Sequence, residues 1–245
     1  MTHKNKTRTS RKASVGTTVF ITGGATGIGK ATTDILLANG WHVAVYTNTI
    51  PTNAETKAWL KNPLLAVYKG NICNATSVKS ALQKAIKKFG PISVLINNAA
   101  IAESKEFIHT SKKDWDTIID VNIKGTLTVT KETLSFMKKQ ESGLIVNIAS
   151  GAGLFGIKDL SIYSLTKAAL INFSQSLAQE IKKDGIRVIT ITPGSTHTSM
   201  FHTCFPGQKP FHTPQQVAAV IVRAIEGNIR PNKQLVVDTF KHAMR

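Results

Sequence analysis

Apolar residues in this chain follow two rhythms that alternate from Thr17 onward. Short, nearly continuous apolar runs occupy Thr17–Thr22, His42–Thr47, Leu64–Tyr68, Val94–Asn97, Gly143–Ala149, Arg187–Thr192 and Gln234–Asp238, and each predicts a β-strand. Longer stretches with helical periodicity occupy Ile28–Asn39, Ala75–Phe89, Lys112–Lys139, Tyr163–Lys183 and Pro214–Glu226. Gly40, Gly90-Pro91 and Gly185 stand where helices should stop. Strand and helix patterns in alternation predict a parallel sheet of seven strands covered on both faces. No internal repeat, low-complexity block or linker divides the chain, so residues 15–245 are expected to form one domain. One connection, residues 193–213, is too long for a plain turn and follows the carboxyl end of a strand, where open α/β sheets bind ligands. Its Met200, Phe201, Phe205 and Phe211, interleaved with His197, His202, Cys204 and Lys209, predict a lid that closes over an apolar substrate. The plainer reading packs these aromatics permanently under the loop as satellite core.

Charge modifies this picture. The 245 residues carry 31 Lys and Arg against 14 Asp and Glu, a formal +17, with 42% hydrophobic residues to supply a core. Lys4, Lys6, Arg8, Arg11 and Lys12 precede the first acidic residue, Asp34, so residues 1–14 are expected to be a basic disordered arm. This stretch has no Leu, Ile or Phe and therefore lacks the apolar core of a secretory signal. A basic body suits nucleic acid, an acidic membrane surface, an acidic carrier protein or an anionic substrate, but a solvated, solubilising surface is favoured over these, and nucleic acid is not expected. No run approaches the roughly 18 apolar residues of a membrane span. Cys73 and Cys204 are far apart and have no ligand at metal spacing, so neither a disulfide framework nor a metal site is expected, and a reducing, cytoplasmic setting fits.

The chemistry begins with Thr22-Gly23-Gly24-Ala25-Thr26-Gly27-Ile28-Gly29, which follows the first strand and opens the first helix. A strand feeding a glycine turn feeding a helix lets the backbone approach a pyrophosphate, with the helix N-terminus offering partial positive charge. Gly23, Gly27 and Gly29 would serve the tight turn, the close approach and the helix packing. Their Gly-x-x-x-Gly-x-Gly spacing departs from Gly-x-Gly-x-x-Gly. Tyr163 and Lys167 stand four residues apart, hence on one helix face, where an ammonium stabilises a phenolate. Lysine is abundant enough for coincidence, but the pair has company. Ser150 closes a strand, although it also suits the start of the Gly151-Ala152-Gly153 turn; Asn122 interrupts an apolar helical stretch, as a buried satisfied amide would; Pro193-Gly194 ends another strand, with Thr198 following.

These motifs, in this order and spacing, resemble the short-chain dehydrogenase/reductase family over residues 15–240. The resemblance rests on Thr22–Gly29, the Asn97-Asn98-Ala99-Ala100 stretch, Asn122, Ser150, the Tyr163-x-x-x-Lys167 pair, and Pro193-Gly194 with Thr198. It implies a single Rossmann-like, doubly wound sheet and an oxidoreductase that interconverts a carbonyl and an alcohol by hydride transfer with NAD(P). Tyr163 would move the proton, Ser150 orient the oxygen, Lys167 lower the Tyr163 pKa and hold the nicotinamide ribose, and Asn122 keep a water behind Lys167. Thr22, Gly23, Gly27, Ile28, Gly29, Thr47, Asn48, Asn71, Ile72, Asn98, Ala99, Pro193, Gly194 and Thr198 would join Tyr163 and Lys167 in binding the cofactor. No acid stands among Tyr46-Thr47-Asn48-Thr49 to repel a 2′-phosphate, so NADP is expected over NAD, although Thr26 replaces the basic residue many NADP-binding members carry. Ala100 and Asn71 stand where the family commonly has Gly and Asp, and the C-terminus lacks a usual Gly-Gly, which weakens transfer of the common tetramer interface. A homodimer or homotetramer is expected nonetheless. Two alternatives stand beside this reading: a reductase of 3-oxoacyl groups on an acidic acyl carrier protein, and a non-catalytic nucleotide- or polyanion-binding protein on the same fold.

Overall fold

The computed structural model describes residues 16–242, and the arm expected at residues 1–14 lies outside them. Seven strands form one parallel sheet: β1 (Thr18–Thr22), β2 (His42–Thr47), β3 (Leu65–Lys69), β4 (Ile92–Asn97), β5 (Gly143–Ile148), β6 (Ile186–Thr192) and β7 (Val236–Asp238), ordered 3-2-1-4-5-6-7. Around it lie α1 (Gly27–Ala38), α2 (Ala54–Trp59), α3 (Ala75–Phe89), α4 (Lys112–Ile119), α5 (Thr126–Gln140), α6 (Ser161–Ile181), α7 (Ser199–Cys204), α8 (Pro214–Ile225) and α9 (Thr239–His242). Each predicted strand forms, with ends displaced by at most two residues.

The apolar runs are continuous because the inner strands bury both faces. Val19 and Ile21 of β1 join Val43, Val45 and Ile96 under Leu36 of α1 and Val217, Val220 and Ile221 of α8. Phe20, the residue between them, joins Ala44, Tyr46 and Leu95 under Val78 and Leu82 of α3, Val129 of α5 and Leu177 of α6. The strand order reverses between β1 and β4, whose carboxyl ends therefore diverge and open a crevice.

Two expectations about helices need correction. The stretch predicted as one helix from Lys112 to Lys139 is α4 and α5 joined by a π-helical turn, Asp120–Gly125. A π turn inserts an extra residue into the helical ladder, and here it carries the Asn122 side chain into the interior. The segment 193–213 is not all loop, since it contains α7. Its neck is closed by a bridge between Thr196 and His212 and by backbone bonds from His197 N–H to His212 O (2.9 Å) and His212 N–H to Ser195 O (3.1 Å). Also unforeseen was α2, whose start is marked by Asn53 accepting the Thr56 N–H at 2.8 Å.

Candidate active site

The crevice is lined first by the glycine turn between β1 and α1. Gly23 and Gly27 have φ of +65° and +53°, the left-handed region that suits glycine. Gly29 faces the backbone of the same turn so closely that a Cβ would drive into the Gly23 carbonyl oxygen and the Asn98 amide. The turn is stapled across the crevice to β4. Thr22 Oγ1 accepts from the N–H groups of Asn98 (3.0 Å) and Ala99 (3.1 Å), and Asn98 Nδ2 donates to the carbonyls of Thr22 and Gly23, each at 3.0 Å. Beyond the turn, α1 starts at Thr26 with no side-chain cap and no acidic residue in its first turn, leaving Ile28, Gly29 and their neighbours at an uncapped positive helix end. An uncapped helix start beside a glycine cradle fits a pyrophosphate.

The second group of residues converges from β5 and α6. Ser150, just after β5, accepts the Ala152 N–H at 3.1 Å and hydrogen-bonds the Tyr163 phenol, so it both starts the turn and reaches the tyrosine. Lys167 is buried, donates to the Ile148 carbonyl at 2.9 Å, and lies 5.5 Å from the Tyr163 ring centroid. Burial pushes the Tyr163 phenol up to about 12 against the opposing Ser150 bond, and burial brings the Lys167 ammonium down to about 8. Asn122 is buried and fully bonded: its Oδ1 accepts the Ile101 N–H (2.8 Å), while Nδ2 donates to Ile101 O (2.9 Å) and to Thr166 Oγ1 (3.1 Å). Thr166 in turn donates to the Tyr163 carbonyl at 2.7 Å, so Asn122 braces the turn of α6 that presents Tyr163 and Lys167.

The remaining predicted residues form the rim. Thr47, buried at the end of β2, donates to Thr49 O at 3.0 Å, and Asn48 beside it is exposed. Asn71 Oδ1 accepts the Cys73 N–H at 2.9 Å, its carbonyl accepts from the Tyr46 hydroxyl at 3.1 Å, and Ile72 packs against Gly125. The Pro193 carbonyl accepts the Gly151 N–H at 2.9 Å, and Gly194 N–H donates to Thr239 Oγ1 at 3.2 Å. Thr198 caps α7 by accepting the Phe201 N–H at 3.2 Å, and its methyl lies over Gly27. The expected residues thus share one end of the sheet. Sequence reasoning missed Thr166 and Cys204. The thiol of Cys204, buried on α7, is pushed up by burial, lowered in part by a hydrogen bond from the Ser104 backbone, and bears on the Tyr163 hydroxyl. No local signal marks the bond between Thr166 and Asn122, 44 residues apart, or the approach of Cys204 to Tyr163.

Comparison with known proteins bears on the whole arrangement. The family profile described as short chain dehydrogenase matches residues 17–209. An uncharacterized oxidoreductase of Staphylococcus epidermidis is 32% identical over 205 residues, covering 84% of this chain and 89% of that protein. A 3-oxoacyl-[acyl-carrier-protein] reductase of Thermotoga maritima is 33% identical over 191 residues, covering 76% of each chain. Among solved structures, levodione reductase superposes with a TM-score of 0.83 at 23% identity, covering 92% of this chain and 96% of that one.

Proposed function

The chain belongs to the short-chain dehydrogenase family and is an oxidoreductase, and on that premise we propose that it interconverts a carbonyl and an alcohol with Tyr163 as the proton-transferring group. The observation that carries this reading is the convergence of the Tyr163 phenol, the Ser150 hydroxyl and the Lys167 ammonium beside the uncapped, glycine-lined start of α1. The Gly23–Gly29 backbone would hold the pyrophosphate of a nicotinamide dinucleotide, which would supply the hydride when bound. Ser150 orients the substrate oxygen through the same hydroxyl that meets Tyr163. With its pKa raised to about 12, Tyr163 is protonated at neutral pH and ready to donate its proton in the reductive direction. Lys167 keeps positive charge under the ring below about pH 8 and steadies the phenolate that donation leaves behind. The committed side-chain amide of Asn122 limits any water behind Lys167 to its main chain, so Asn122 acts chiefly as a brace.

Thr198, Pro193 and Gly194 are assigned to the carboxamide side of the cofactor, and Thr47, Asn48, Asn71 and Ile72 to its adenosine side. NADP is the preferred form, because no carboxylate stands at Thr47 or Asn48 to repel a 2′-phosphate and the exposed Asn48 carries an amide. The 193–213 segment is assigned as a lid, residues 15–245 as one domain, the location as cytoplasmic, and the assembly as a homodimer or homotetramer. A second reading, reduction of 3-oxoacyl groups on an acyl carrier protein, is favoured by the name of the Thermotoga maritima relative and by the +17 charge, which attracts an acidic carrier.

The test is Tyr163→Phe, followed by NADPH oxidation against a panel of carbonyl compounds and by calorimetric titration with NADPH and NADH. Turnover should fall by about 10²- to 10⁴-fold while NADPH affinity stays within about threefold. Retention of more than about a tenth of the rate would remove Tyr163 from the reaction. Tighter binding of NADH than of NADPH would reverse the cofactor assignment.

A further inference from the structure

The positive charge of this protein is concentrated at one edge of the sheet. Between Glu55 and Glu103 there is no carboxylate, and the same stretch holds seven lysines. The fold gathers them on α2 and the turn after it, on the outermost strand β3 and on the exposed face of α3. Elsewhere acids are interspersed with the lysines and several pair with them, as in Lys30–Asp34 (2.7 Å), Lys105–Asp114 (2.9 Å), Lys124–Asp120 (2.7 Å) and Lys138–Asp184 (3.0 Å). Among the described residues, none of the seven lysines at the β3 edge enters an ion pair.

Between β3 and α3 runs an open groove of about 470 Å³. Lys69 and Tyr68 line it from the strand, and Lys84, Thr76 and Ser80 line it from the helix. Val67 and Ala81 are its only aliphatic residues. We propose that this groove binds single-stranded nucleic acid, with phosphates on Lys69 and Lys84, hydroxyl donors along α3, and a base against the Tyr68 ring. The lining decides among polyanions. A docked protein needs a buried apolar anchor, which the groove does not offer. Lysines on an edge strand also guard against strand pairing, but guarding β3 does not call for the unpaired lysines along α3.

The experiment is fluorescence anisotropy of a fluorescein-labelled oligouridylate of about 20 nucleotides, titrated with the full chain at several salt concentrations. Wild type should bind, with affinity falling as salt rises. The double variant Lys69→Glu/Lys84→Glu should weaken binding at least about tenfold and reduce the salt slope by about 1.4, two contacts at about 0.7 each. Tyr68→Leu should weaken it about fivefold or more with the slope unchanged. A charge-matched control at the far side of the sheet, Lys182→Glu/Lys183→Glu, should stay within about twofold. Circular dichroism melts check that each variant folds, and Lys84→Gln, expected to lower the slope by about 0.7, replaces the double variant if that chain does not. Lys69 is the register partner of Thr47, so the titration is repeated with saturating NADPH, which should leave the RNA bound. Absence of binding, equal loss in the control, displacement by NADPH, or equal displacement by polyglutamate would each overturn the proposal. Because oxidoreductase turnover is measured separately, failure here leaves the assignment of Tyr163 untouched.

Discussion

The wall of the crevice built at the β1–β4 junction and the wall built from residues 193–213 meet where the Thr198 methyl lies over Gly27, yet they are held by different means. At the junction, four hydrogen bonds of 3.0–3.1 Å tie Thr22, Gly23, Asn98 and Ala99 together, and the strands behind them are buried on both faces. These bonds are part-buried and share the Thr22 hydroxyl and the Asn98 amide, so loosening one disturbs its neighbours. The 193–213 wall is closed at its neck by the Thr196–His212 bridge, but beyond it only Cys204 is buried. Phe201 and Phe205 pack with tilted rings at 5.2 Å, and Phe211 is 74% exposed, with its ring against Phe240 at 5.4 Å. None of these phenylalanines joins a core cluster, which does not suit the satellite-core reading. A bond-saturated wall suits a ligand of constant shape, such as a dinucleotide, whereas a wall of partly exposed rings suits substrates that vary.

The largest effect that separates the two walls is expected at Gly29. A methyl there meets the Gly23 carbonyl, and backbone cannot swing away as a side chain would, so Gly29→Ala should cost about 2–4 kcal/mol in urea denaturation and at least about 100-fold in NADPH affinity. Gly156→Ala, with open space around it, is the control and should change stability by less than about 1 kcal/mol. Normal NADPH binding by Gly29→Ala would show that the junction yields, and the contrast between the walls would disappear.

A smaller effect, opposite in sign, is expected at Lys167, on the floor between the walls. Its folded pKa of about 8 lies below its ordinary 10.5, so below pH 8 the ammonium is charged in both folded and unfolded chains and the burial penalty is present in full. From pH 8 to 10.5 the folded chain sheds the proton while the unfolded chain keeps it, so this group raises wild-type stability across that window. Lys167→Met removes the penalty. At pH 7 the variant should be more stable by about 1–3 kcal/mol, with the gap closing as pH rises from 8 to 10, while turnover is lost. A variant less stable than wild type at pH 7 would mean that the bond to Ile148 O outweighs desolvation.

The smallest stability effect is expected on the 193–213 wall. Phe205→Ala should cost under about 1 kcal/mol, because the ring is only partly buried, yet raise KM for an apolar carbonyl substrate about three- to tenfold and leave that for a polar one unchanged. Amide exchange of residues 197–211 should be fast in the free protein and slow when NADPH and a substrate analogue are bound. Slow exchange in both states would make the segment a fixed wall like the other.

Much of the site was legible before the structure because its residues carry local signatures. The Tyr163–Lys167 spacing holds on any helix, and a glycine turn between an apolar run and a periodic stretch has few other uses. Asn122 was singled out for the awkwardness of an amide between Val121 and Ile123, but its partners, Ile101 and Thr166, lie 21 and 44 residues away and leave no trace in spacing. The π turn was equally hidden, because residues before and after it keep helical periodicity. Helix α7 was lost within a segment read by its prolines and aromatics, although Thr198 stood at its cap.

Alternating rhythm and burial chemistry were enough to specify a parallel, two-faced sheet, because a strand with no polar face has nowhere else to go. The same local logic put the glycine turn, Ser150, Tyr163 and Lys167 at the ends of strands and on the helices that follow. Whether those groups meet depended on long-range packing: the staple between Thr22 and Asn98 spans 76 residues, and the brace from Asn122 to Thr166 spans 44. The placement of charge shows the same division. Composition counted the lysines, but only strand order, which left β3 as the outer edge beside α3, brought Lys69 and Lys84 to a single groove. Local sequence governs backbone preference and face periodicity over a few residues, whereas hydrogen-bond partners and dielectric surroundings are set by whichever distant segments the core draws together.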